Sequence, residues 1–126
     1  MMAEIIFEES SEFKKDYKRL SKRYRALPED FDRLKHVALT LFHSGVDNRV
    51  SYEIPECVKE RYSAFKLKKF ACRSLKGGAN SGLRVIYVFD HLEKKVLFLE
   101  MYYKGDQELE NRSRIELYLS YLEKEK

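Results

Sequence analysis

Residues 65–104 read FKLKKFACRSLKGGANSGLRVIYVFDHLEKKVLFLEMYYK, and this stretch decides the fold. Leu83 to Phe89 is dense in branched and aromatic residues, residues 90–94 have hairpin-turn chemistry, and Val96 to Tyr103 reads as the returning strand. Upstream, an alternation of period two begins at Phe65. It places Phe65, Leu67 and Lys69 on one side of a third strand and Lys66, Lys68 and Phe70 on the other. Between the two lies Lys76-Gly77-Gly78-Ala79-Asn80-Ser81-Gly82, with three glycines in seven positions, which is turn chemistry. The expectation is an antiparallel meander of three strands.

Outward from this core, the N-terminal third reads as a short strand and a helical hairpin. Ile5, Ile6 and Phe7 form an apolar run bounded by acids. Ser10 or Ser11 can cap a helix with Glu12 in its first turn, on which Phe13, Tyr17, Leu20, Tyr24 and Leu27 share one face. The opposite face carries Lys14, Lys15, Lys18, Arg19, Lys22, Arg23 and Arg25, which suits solvent, the phosphates of RNA or DNA, or an acidic protein partner. Pro28, Glu29 and Asp30 open a second helix, because proline and carboxylates both suit a first turn. Phe31, Leu34, Val37, Ala38, Leu41 and Phe42 line it, and Gly45 ends it. Residues 46–62 show no clear period and contain Pro55, so they read as a loop with one helical turn. After Gly105-Asp106, the residues Ile115, Tyr118, Leu119 and Leu122 give a narrow helical stripe among charges that continue to Lys126. The expected order is β-α-α-loop-β-β-β-α. This is an α+β single domain spanning residues 1–126: an antiparallel-rich twisted sheet covered by an N-terminal helical hairpin, with a C-terminal helix.

Composition narrows the function classes. A chain of 126 residues can bury an ordinary core without disulfides or metal. Cys57 and Cys72 are fourteen residues apart in the intervening count and lack metal-ligand spacing, so two reduced, buried thiols are expected and no metal or cofactor is implied. The opening MMAEIIFEESSEF is acidic and too weakly apolar for a secretory leader, and no run approaches the ~18 apolar residues of a membrane span. The expectation is a soluble cytoplasmic protein. His36, His43 and His91 have no nucleophile context, and the glycine-rich turn lacks the GxxxxGK[ST] pattern of a phosphate loop.

The net charge of +4 is modest, so the placement of the cations matters more than their sum. Lys66 and Lys68 stand two apart on one strand, Arg84 follows the glycine-rich turn, and Lys104 follows Tyr102 and Tyr103. If these strands are neighbours, the four cations can converge on one phosphate, with tyrosine rings for base stacking. Lys69 and Arg73, with Tyr102 and Tyr103, are the further candidates for holding RNA. Lysines also commonly line exposed strands for solubility alone, and spacing leaves both readings open.

The order of elements and the phrases FKKDYKRLSKRYRAL, YSAFKLKKF, SGLRVIYVF and LFLEMYYKGD resemble the RelE/ParE superfamily of toxins from toxin–antitoxin systems. The likeness runs from about Phe7 to Leu119. In the RelE branch it implies a metal-independent, ribosome-dependent messenger-RNA endonuclease, neutralised by a cognate antitoxin, in which the neighbouring ribose 2′-hydroxyl is the nucleophile. It implies that one of Lys66 and Lys68 acts as general base while the other stabilises charge, and that Arg84 neutralises the phosphorane-like transition state. Lys104 falls near the basic pair that ends the last strand in that branch. Gly105 stands where a second basic residue is often found, and the C-terminal catalytic tyrosine has no clear counterpart. A lysine base requires a depressed pKa, which crowding by neighbouring cations would supply. The alternatives are a ParE-like, non-enzymatic inhibitor of DNA gyrase and a module that binds a partner or RNA without cleavage.

Overall fold

The Ser10 side chain accepts a hydrogen bond from the Phe13 backbone N–H at 3.1 Å, and this cap turns the first strand into the first helix. A computed structural model describes residues 4–124. Met1, Met2 and Ala3 of the opening stretch, and Glu125 and Lys126 beyond the last helix, lie outside the described residues. The elements are β1 (Ile6–Glu9), α1 (Ser11–Arg23), α2 (Leu27–Arg33), a π-helical segment (Leu34–Leu39), α3 (Thr40–Phe42), β2 (Ser51–Val58), β3 (Tyr62–Leu67), β4 (Leu83–Asp90), β5 (Lys95–Tyr103) and α4 (Arg112–Lys124). The five strands form one mixed sheet in the order β1-β5-β4-β3-β2, in which only the β1–β5 pairing is parallel. The α+β class and the β3-β4-β5 meander are as the sequence predicts.

Two cores lie on opposite faces of the sheet. The helical hairpin covers one, with Phe13, Leu20, Leu27 and Phe31 packed on Phe65, Leu67, Val85, Tyr87 and Phe98. On the other face Ile115 and Leu119 of α4 pack on Ile54, Ala64, Ile86, Val88 and Leu99. Each such side chain contributes about 1.5–3 kcal/mol when fully buried. Both cysteines are free and buried, Cys72 in the first core and Cys57 in the second, so the sheet separates them.

Four local expectations are corrected. The first helix stops at Arg23, because Tyr24 adopts an extended backbone and Pro28 starts a new helix; Tyr24 and Leu27 are nevertheless buried. In the second helical stretch Val37 is exposed and Leu39 is buried, because the π-helical segment adds to the residues per turn and rotates the apolar face. Residues 51–58 form a strand, not a loop. Between the pairs Glu53–Phe65 and Val58–Ser63 lie residues 54–57 on β2 but only Ala64 on β3, and this wide bulge accommodates Pro55 on an edge strand. Phe70 does not share a face with Lys66. The strand ends at Leu67, and a bridge to Asn80, with Ser81 Oγ donating to the Phe70 carbonyl, swings the ring into the helix-side core.

β1 is shorter than β5, so the outer edge of β5 beyond Phe98 has no strand partner among the described residues. Side chains take its place. Asp16 of α1 accepts from the Met101 backbone N–H at 3.1 Å, and Arg114 of α4 donates to the Leu99 carbonyl and to Asp16, each at 2.9 Å. Leu99 is the residue by which β5 slips register against β4. Asp16→Ala leaves the buried Met101 N–H without its acceptor and the Arg114 guanidinium with the Leu99 carbonyl but no carboxylate. The expected loss is about 2–3 kcal/mol in urea denaturation, with Asp16→Asn losing less; a loss below about 0.5 kcal/mol would contradict this role.

His43 stacks on Phe89 at 4.0 Å between ring centroids, and its Nε2 lies 2.8 Å from the Tyr87 hydroxyl, which in turn donates to Ser51 Oγ. Burial, with smaller contributions from His91 and Lys94, lowers its pKa to about 4. A depressed pKa means the unfolded chain takes up the proton first. Stability is therefore whole above the ordinary histidine value and declines as pH falls towards 4. Between pH 7 and pH 4 the wild type should lose about 2–3 kcal/mol more than His43→Gln, measured by urea denaturation at each pH.

Candidate nucleic-acid interface

The register places Lys66 opposite Ile86 and Arg84 opposite Tyr102, so the candidate residues Lys66, Arg84 and Tyr102 share the face covered by α4, near one end of the sheet. Lys68 lies just past β3 at the same end. Its carbonyl accepts from Arg84 Nη1 at 3.2 Å, and its ammonium sits 5.5 Å from the Tyr52 ring centroid. Lys104 is joined to the start of β4 by its backbone N–H, which donates to the Gly82 carbonyl. The expected neighbourhood of Lys66, Lys68, Arg84 and Lys104 is thus built by adjacent strand ends. Among the described residues, no carboxylate stands within ion-pair distance of Lys68, Arg84 or Lys104.

Lys66 differs from the other three. Its Nζ is 2.8 Å from Glu110 Oε1, with both side chains largely buried. Burial alone would push the ammonium pKa down, but Glu110 and the nearby Tyr102 hydroxyl hold it above the ordinary lysine value. The pKa depression required of a lysine base is therefore corrected, because the dominant neighbour is an anion. Burial likewise pushes the Glu110 carboxyl up, and the hydrogen bond from Lys66 returns it to below the ordinary glutamate value.

Glu110 belongs to a strap, residues 104–111: the sequence predicts helix directly after Gly105-Asp106, but α4 begins only at Arg112, because the side chain of Glu100 holds Gln107 and Asn111 down on the sheet. Glu100, buried on β5, accepts from Gln107 Nε2 at 2.7 Å and from the Asn111 backbone N–H at 2.8 Å, which fixes the strap over Lys66. Arg112 Nε lies 3.5 Å from the second Glu110 oxygen, and another arm of the same guanidinium bonds Glu56. The available signal was the acidic run Asp106-Gln107-Glu108-Leu109-Glu110 shortly after Lys104, the cation that follows the last strand.

The RNA-holding candidates fare unequally. Arg73 is committed to α2: its backbone N–H and Nε bond Asp30 at 2.8 and 3.1 Å, and its guanidinium reaches Glu29 at 3.1 Å. Lys69 is exposed on that same hairpin side, away from Lys66. Tyr102 is 3% exposed, so it offers no face for a base to stack on. Tyr103 is half-buried, and the Arg23 guanidinium lies 5.6 Å from its ring centroid. A Cβ at Gly82 or Gly105 would come within 2.9 or 2.5 Å of this ring, which accounts for glycine where a basic residue was expected.

A groove of about 610 Å³ between α4 and the sheet lies at the other end of β4, lined by Arg61, Asp90, Glu8, Lys95 and Tyr121 among others. Its charges are already paired, Arg61 with Asp90 and Lys95 with Glu8, both at 2.9 Å. No helix among the described residues is long and apolar enough to cross a membrane. Comparison with protein-family models, curated proteins and solved structures yields no match.

Replacing Lys66 by alanine removes the hydrogen bond that lowers the Glu110 pKa and leaves the burial that raises it. Carboxyl-carbon NMR titration should show the Glu110 midpoint moving upward in Lys66→Ala; an unchanged midpoint would contradict the assigned pairing.

Proposed function

We propose that this chain is an RNA-directed toxin of the RelE/ParE type, acting in the cytoplasm on messenger RNA, on the ribosome, and restrained by a cognate antitoxin protein. One observation carries the reading: Lys68, Arg84 and Lys104 gather at one end of the sheet with no carboxylate partner among the described residues. Unpaired cations fixed on strand ends offer a phosphate backbone a geometry that a mobile tail cannot.

In this reading Arg84 neutralises charge at phosphorus. One guanidinium nitrogen is anchored by the carbonyls of Lys68 and Leu83, and the others are left for phosphate oxygens. The ribose 2′-oxygen forms a bond to phosphorus and loses its proton, while the bond to the 5′-oxygen breaks and that oxygen takes up a proton. Lys66, held as an ammonium, suits charge stabilisation or proton donation to the departing 5′-oxygen. Lys68 is then the lysine of the pair left for the 2′-proton, a role open only to its unprotonated amine; as an ammonium it adds charge stabilisation beside Arg84.

The pairing of Lys66 with Glu110 favours a second reading, RNA binding without cleavage. One experiment separates them. Wild type and Arg84→Ala are incubated with messenger RNA, with and without ribosomes, and both cleavage and binding are followed. The toxin reading expects wild-type cleavage that falls roughly 100-fold in Arg84→Ala. Absence of wild-type cleavage in both conditions sinks it, and salt-sensitive binding without cleavage selects the second reading.

A further inference from the structure

We propose that Glu110 occupies a phosphate subsite formed by Lys66, Tyr102 and Arg112, and that it must leave before a phosphate group can bind there. A carboxylate brings two oxygens. One is bonded to Lys66 Nζ at 2.8 Å, and the other stands 3.5 Å from Arg112 Nε. Two buried groups around this anion are incompletely bonded: the Tyr102 hydroxyl, whose polar neighbour is Lys66, and Arg112 Nε, whose contact is the long one to Glu110, and neither makes a hydrogen bond of good geometry among the described residues. Buried polar groups are normally well bonded, so two poorly satisfied donors beside one anion call for an explanation. A phosphate group is tetrahedral and presents more oxygens than a carboxylate, so it can meet all three donors at once.

The strap that carries Glu110 is suited to lifting. Residues 104–111 contain no strand or α-helix, and Leu109 is exposed. Its attachment is polar, through Gln107 and Asn111 to Glu100 and through Asp106 to Arg23 at 2.5 Å. A segment with few apolar contacts opens at low cost compared with the sheet beneath it. Lys66 is thus guarded by an internal anion, while Lys68, Arg84 and Lys104 stay free to make the first contact. RNA as the natural ligand rests on the function proposed above; the subsite itself requires only a phosphate group.

The test compares wild type, Glu110→Gln, Gln107→Ala and the double variant Lys66→Gln/Glu110→Gln, each checked for folding by circular dichroism. Two probes are used at constant ionic strength: inorganic phosphate, followed by thermal shift against chloride, and a single-stranded RNA ten-mer. Glu110→Gln should bind both probes about tenfold more tightly than wild type, with a smaller gain of about threefold in Gln107→Ala, because a competing anion is removed or loosened. The gain should vanish in the double variant. If Glu110→Gln does not fold, Gln107→Ala decides. A gain for phosphate with none for RNA supports the subsite and counts against the RNA reading. Phosphate binding no tighter than wild type in the folded variants, or a gain that survives loss of Lys66, overturns the proposal.

Discussion

Beyond Phe98, β5 has an edge that no strand among the described residues covers, and the bonds that Asp16 and Arg114 make to the Met101 N–H and the Leu99 carbonyl hold the molecule together there. Unpaired backbone groups in a buried strand are costly, so some partner must be supplied. Here one comes from α1 and the other from α4, and the two side chains also bond each other. That joins the layers on opposite faces of the sheet around its edge. The Tyr118 hydroxyl, donating to Glu12 at 2.6 Å, adds a second link between the same helices. Because Arg114 lies in the first turn of α4, this closure also fixes where α4 begins. It thereby sets where Glu110 and Asn111, the residues just before that helix, come to rest.

The arrangement of the candidate face follows from that placement. Glu100 on β5 holds the strap, and the strap sets a carboxylate on Lys66. Charge at this end of the sheet is therefore divided. Lys68, Arg84 and Lys104 are open to an incoming anion, whereas Lys66 is protonated, buried and occupied. A lysine in that state can stabilise charge or give up a proton but is a poor base at neutral pH. The same division lets initial attraction and close engagement be separate events.

Much of the fold was legible because its signals are local. The hairpin turn at residues 90–94, the branched run of β4 and the Ser10 cap each announce themselves within a few residues. β2 escaped detection because the bulge gives its buried residues Ser51, Ile54 and Cys57 a three-residue spacing that matches no strand template. Val37 and Leu39 exchanged roles because a π-helical segment has no signature in a 3.6-residue pattern. At the site, the clustering of Lys66, Lys68 and Arg84 could be read from strand order. The partner of Lys66 could not, since Glu110 lies 44 positions away and only the closure of α4 on the sheet brings it near. The same distance in sequence hid Arg112, and the packing of Arg73 on Asp30 and Glu29 removed a cation that composition had made available.

The account turns on a strap that yields to phosphate, and hydrogen exchange of the wild-type chain reads that motion directly. Exchange is followed by mass spectrometry with and without a single-stranded RNA oligonucleotide. Residues 107–111, including the Asn111 amide now bonded to Glu100, should exchange faster when RNA is bound, while β4 and β5 remain protected. Unchanged or slower exchange in this segment at saturating RNA would show that Glu110 keeps its place, contradicting the account.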